Sequence, residues 1–229
     1  MRYPTSLALT LGVLAAANVL SHRVIPQADA AVSIAMVGSL AAVAGSSKLV
    51  ADDLGLARAA VPKGLRWGGA AAAVTAAVYG IGALIPAVRQ ATALPGQSWA
   101  TSLLQALVVI PLATVIPEEF AFRGVLWGLL NRQSGRRLAT GVSAFAFGLW
   151  HVLPALGGGA ANESAGGVLG GGPLATAALV VGTVVFTGLG GVVLAALRAR
   201  SGSLLAPILL HWAINGVGVI FLQLAAMGR

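Results

Sequence analysis

The apolar positions of this chain come in long blocks separated by short polar connections, not as one amphipathic stripe and not as the alternation of a half-buried strand. Blocks of this kind predict membrane-spanning helices, because a bilayer core of about 30 Å takes about 20 residues at 1.5 Å per residue. The first covers 6–20, behind Arg2, and reads as a membrane helix or a signal peptide, with Ala28-Asp29-Ala30 weakly resembling a cleavage site; a retained helix is the expectation. A second, short span covers 30–45. Between 46 and 66, Lys48, Asp52, Asp53, Arg58, Lys63 and Arg66 are mixed with Leu and Val, which predicts a polar connection or an interfacial amphipathic helix. A third span runs over 67–88, rich in the Ala and Gly that allow close packing in lipid. After the Pro95-Gly96 turn signal come a long fourth span over 99–130, a fifth over 138–153, a Gly-rich loop over 157–172 with no basic residue, a sixth span over 174–197 and a seventh over 204–227. The fold class predicted is all-α: one polytopic membrane domain over 1–229, with about seven transmembrane helices, eight being the alternative, helices one to three in 1–98 and the remainder in 99–227.

Composition agrees. Of the 229 residues 58% are hydrophobic and 9% charged, and the mean hydropathy is +0.91, which no ordinary soluble domain shows. The formal charge of +8 does not indicate nucleic acid, because the 14 Lys and Arg are scattered between apolar blocks and form no basic face. They act as topology signals instead. With the N-terminus cytoplasmic, the inner segments hold Arg2, Lys48, Arg58, Lys63, Arg66, Arg132, Arg136, Arg137, Arg198 and Arg200, and the outer ones only Arg23, Arg89 and Arg229. Ten against three is a firm positive-inside pattern, and it predicts a cell-membrane protein with the N-terminus inside and the C-terminus outside.

Chemistry has few candidates. There is no cysteine, so thiol nucleophiles and thiolate metal sites are excluded, and what remains is three His and six acids. His22 beside Arg23 reads as interfacial; Asp29, Asp52, Asp53 and Glu163 fall in connections and need no function. Glu118, Glu119 and Arg123, by contrast, lie inside an apolar block, where each charge costs roughly 2.5 to 3.5 kcal/mol and faces a protein interior or a water-filled cavity. Glu118 lies 14 positions before Arg132, His151 14 after Arg137, His211 11 after Arg200 and Asn215 15 after it. At 1.5 Å per residue all four sit roughly 16 to 22 Å from the same face, so three helices are expected to assemble one polar site.

Local spacing suggests roles. Glu119 and Arg123, four apart with the acid first, predict an ion pair, which leaves Glu118 free on another face. Pro117 is expected to open a half-helix whose N-terminal dipole favours the carboxylates. Phe147 shares a face with His151 and can wall off the imidazole, and His211 shares one with Asn215.

These residues carry a resemblance. Glu118-Glu119-x-x-x-Arg123, Phe147-x-x-x-His151 and His211-x-x-x-Asn215, in that order on successive apolar blocks, resemble the three motifs of the CPBP family of intramembrane proteases, which includes the CAAX prenyl endopeptidases and bacterial Abi-type proteins. The resemblance covers about 99–226, and its three motifs together are specific where each alone is weak. It implies a membrane endopeptidase in which Glu118 and His151 activate water, while His211 and Asn215 bind metal or stabilise the oxyanion. Glu118, His151 and His211 are of the two-His, one-carboxylate type that holds catalytic zinc with a position left for water. In the alternative, Glu118 and His151 act directly, and His211 with Asn215 forms an oxyanion hole without metal. The expected partners are the lipid bilayer and a membrane-associated protein or peptide substrate, and no nucleic acid. Two other readings stay open: a proteolytically inactive scaffold or immunity protein of the same fold, and a proton-coupled transporter.

Overall fold

A computed structural model of the chain describes residues 2–92, 98–157 and 172–227. Every regular element among these is helical. The Pro95-Gly96 signal, Glu163, Arg229 and nearly all of the Gly-rich loop lie outside the described residues.

The first hairpin joins α1 (Tyr3–Val24) to α2 (Pro26–Ser46). Its corner is Ile25, at φ −136° and ψ 58°, because the residue before a proline is pushed out of the helical region. Helix α2 buries Val32, Met36, Leu40 and Val43, one face at steps of three and four. After it, Ala51–Leu54 makes a single turn that Gly55 stops in the left-handed region at φ +73°, so the connection is two short turns and not an amphipathic helix. Helix α3 (Val61–Leu84) starts earlier than the expected 67, since Pro62 fits the first turn of a helix. It also ends earlier, at Ile85 before Pro86, where a short helix Pro86–Thr92 takes over.

Helix α4 (Trp99–Leu156) is 58 residues long and would reach about 87 Å if straight. It is broken at Gly135, whose φ of 81° and ψ of 169° are not helical. Past that point the chain doubles back: Ser143 Oγ donates to the Phe122 carbonyl at 2.8 Å, Trp127 Nε1 to Thr140 Oγ1 at 3.3 Å, and the Phe122 and Phe147 rings meet edge to face at 5.2 Å. The outgoing and return legs of α4 are thus the fourth and fifth expected spans. With α5 (Gly172–Ser201) and α6 (Leu205–Ala226), six helices are long and apolar enough to cross a membrane among the described residues, and one of them does so as a hairpin. Pro117 opens no half-helix. Residues 115–120 stay right-handed helical, and the wider π turns Gln105–Val115 and Phe120–Leu126 flank the turn Ile116–Glu119 that carries the two Glu.

The outgoing leg is central: every residue from 121 to 130 is buried. The outer surface is apolar, with Leu84, Leu174 and Phe186 at 80%, 84% and 77% exposed. Such a surface is stable only with lipid as its solvent. Small residues let the helices close up; a Cβ on Gly68 would lie 2.8 Å from Ala206 Cα. Arg198, expected to be a loop charge, is buried instead. Its Nη2 donates to the carbonyls of Asp52 and Asp53 at 3.0 and 2.8 Å, its Nε to that of Arg123 at 3.3 Å, and its guanidinium lies 4.9 Å from the Trp127 ring. It staples the α2–α3 connection to α5 and to the central leg.

Candidate active site

The polar cluster begins on the central leg. Glu119 and Arg123 are each 0% exposed and pair at 2.9 Å, as their spacing predicts. Arg123 also reaches the Gly191 carbonyl at 3.4 Å and sits 4.0 Å over the Phe147 ring. Alpha5 can come this close because position 191 is glycine; a Cβ there would be 3.0 Å from Ala144 Cα and 3.2 Å from Arg123 Nη2.

His211 arrives from α6. Its Nδ1 donates to Glu119 Oε1 at 2.8 Å, since a carboxylate can only accept. Glu119 therefore does two things, neutralising Arg123 and fixing the His211 ring, and it is not confined to the ion pair. The same bond turns His211 Nε2 toward Glu118, whose Oε2 lies 3.9 Å away. Glu118 is not free on another face. It is 9% exposed, its Oε1 accepts the Trp150 Nε1–H at 3.1 Å, and its Oε2 is buried without a hydrogen-bond partner among the described residues.

His151 ends the return leg. The peptide there leaves the helix at φ −86° and ψ 0°, and the ring donates from Nδ1 to the Phe147 carbonyl at 2.7 Å, leaving Nε2 available. Phe147 is the expected wall: its ring packs edge to face on His151 at 4.6 Å and on His211 at 5.8 Å. Asn215, half-buried one turn beyond His211, makes no side-chain hydrogen bond among the described residues and presents a free amide. It stands in the π turn Ala213–Val217, a wider turn of the kind often found at functional sites.

The structure thus unites Glu118, Glu119, Arg123, Phe147 and His211 in direct contact and joins His151 to them through Phe147. It does not assemble Glu118, His151 and His211 as a metal set. Both imidazoles have Nδ1 held and Nε2 open, which suits metal ligation as well as proton transfer. Yet among the described residues no group of three or more His, Asp or Glu is close enough to hold an ion. Around them the Phe147 carbonyl holds His151 Nδ1, and the Phe147 ring packs against both imidazoles.

Sequence reasoning missed three contributors. Trp150 holds Glu118; Asn18 of α1 donates from Nδ2 to the Trp150 carbonyl at 2.7 Å; and His22, expected at the interface, is half-buried with its ring 6.4 Å from that of Trp150. One available signal was Asn18 itself, an amide inside an apolar block, near its end. Such a group needs a partner, as membrane-buried polar groups do.

Among known proteins, a family model described as type II CAAX prenyl endopeptidase, Rce1-like, matches residues 99–217, which is 119 of the 229 positions. The match takes in both legs of α4, all of α5 and the part of α6 that carries His211 and Asn215. No curated protein and no solved structure matches the chain.

Proposed function

The chain belongs to the Rce1-like type II CAAX prenyl endopeptidase family, and from that membership we propose that it is an intramembrane endopeptidase cleaving a membrane-associated protein or peptide. The observation that carries the reading is the state of Glu118: a buried carboxylate with one oxygen tied to Trp150 and the other without a hydrogen-bond partner among the described residues, 3.9 Å from His211 Nε2. A group so placed is a general base. Glu118 Oε2 takes a proton from water as the water oxygen bonds to the scissile carbonyl carbon, with His151 Nε2 as a second acceptor. The developing oxyanion is met by the free Asn215 amide and by His211 Nε2, with Nδ1 kept on Glu119. When the tetrahedral species collapses, the C–N bond breaks and the proton returns from Glu118 to the leaving amine.

Glu118, His151 and His211 are not gathered closely enough among the described residues to hold the zinc expected from the residue types, so no step is assigned to a metal. Elemental analysis of active, detergent-purified protein tests this: stoichiometric zinc, lost together with activity in His211→Ala, would restore the metal reading. The membrane is proposed to be the cell membrane, with the N-terminus cytoplasmic, on the strength of the ten-to-three charge split. Clustering of the ionisable groups favours hydrolysis over transport, because a proton path spreads such groups between the two faces.

The test is comparative proteomics of membranes carrying the wild-type chain or Glu118→Ala. Cleavage fragments that vanish in the variant identify the substrate. An identical fragment set would favour the inactive scaffold.

A further inference from the structure

Glu118 needs more than burial to serve as a base. A carboxylate on a helix turns about its own bonds, and holding it in one orientation costs side-chain entropy that some partner must offset. That partner is the Trp150 indole, which donates to Oε1 at 3.1 Å and leaves Oε2 facing His211.

Trp150 is in turn held from outside the matched region. It is the last residue of the return leg before the backbone leaves the helix at His151. In the regular i to i−4 pattern its carbonyl would accept from the N–H of residue 154, but Pro154 has none. The next bond of the pattern is made, from Ala155 N–H to the His151 carbonyl at 3.1 Å. The Trp150 carbonyl would be an orphan at membrane depth, where an unsatisfied group is costly. Asn18 of α1 fills the gap, donating from Nδ2 at 2.7 Å while itself buried. The indole is further gripped edge to face by Phe122, at 5.6 Å, and by His22.

We propose that Asn18 and Trp150 are positioning residues for Glu118: the break imposed by Pro154 exposes one carbonyl, α1 clamps it, and the clamped indole orients the base. The N-terminal hairpin thereby belongs to the site and is not only a membrane anchor. This rests on the protease reading for its consequence, but its geometry is measured separately.

The full-length chain in detergent, labelled with ¹⁵N at the indoles of its five Trp, gives a Trp150 signal identified by its loss in Trp150→Phe. Deuterium exchange of that indole should be about 10- to 100-fold faster in Asn18→Leu and in Glu118→Ala, the factor for loss of a hydrogen bond to a charged group. Pro154→Ala returns an N–H to position 154, so the pair Asn18→Leu/Pro154→Ala should bring exchange back toward wild type. Unchanged exchange in either single variant overturns the proposal. In membranes, Trp150→Phe keeps the ring packing and removes only the donor; it should slow Glu118-dependent fragment formation about tenfold or more at unchanged protein yield. Wild-type cleavage in that variant also overturns the proposal. Absence of any Glu118-dependent fragment from the wild type defeats the protease reading instead, and the indole measurement still decides whether the clamp exists.

Discussion

Glu119→Gln is the sharpest perturbation of this fold, because it removes one charge from a pair in which both side chains are 0% exposed. Glu119 Oε1 accepts from Arg123 at 2.9 Å and from His211 at 2.8 Å, so the Gln carbonyl keeps both acceptor positions. Two things are lost. Arg123 keeps its full charge with no carboxylate in contact, and breaking a buried pair on one side costs about 3 to 5 kcal/mol. The new amide nitrogen takes the place of Oε2, which is buried with no hydrogen-bond partner among the described residues, adding an unsatisfied donor at about 1 to 3 kcal/mol. Counting only the first, and about 2 to 4 °C per kcal/mol for a chain of this size, the melting temperature in detergent should fall by roughly 6 to 20 °C. Folded yield, read as the monodisperse fraction on size exclusion, should fall with it. Replacing both partners by apolar groups is often neutral, so Glu119→Gln/Arg123→Met should recover more than half of the shift. A Glu119→Gln chain that melts within 2 °C of wild type, or a double variant worse than the single one, would refute the ion-pair account and move Glu119 wholly into the chemistry.

Arg198→Ala should lower the melting temperature by an amount equivalent to about 3 kcal/mol or more, because three carbonyls lose one charged donor, and Arg198→Lys should recover little, since an ammonium lacks the planar fork that reaches all three. His211→Ala should fold near wild-type yield and slow cleavage of the substrate found by proteomics about 10²- to 10³-fold, the cost of one oxyanion donor; retention of full rate would remove His211 from the mechanism. Reporter fusions at residues 55 and 134 should read as cytoplasmic and one after residue 227 as external, and an external signal at 134 would overturn the orientation.

What could be read from sequence divides along a physical line. Properties that depend on position along one helix were legible: the apolar spans, the meeting of Glu118 with His211, and the Glu119–Arg123 pair, which needs only a spacing of four. Properties that depend on how a helix is rotated against its neighbours were not. Whether Glu118 points away from or toward α6 turns on the π segments flanking it, and a π turn shifts every later side chain around the axis without any signature in the apolar pattern. Once both carboxylates face α6, one imidazole meets both, with Nδ1 on Glu119 and Nε2 toward Glu118. The same rotation brings Trp150 onto Glu118. A proline two turns from any charge, Pro154, then bears on how Glu118 is held, because the carbonyl it leaves without a helical donor is where α1 takes hold.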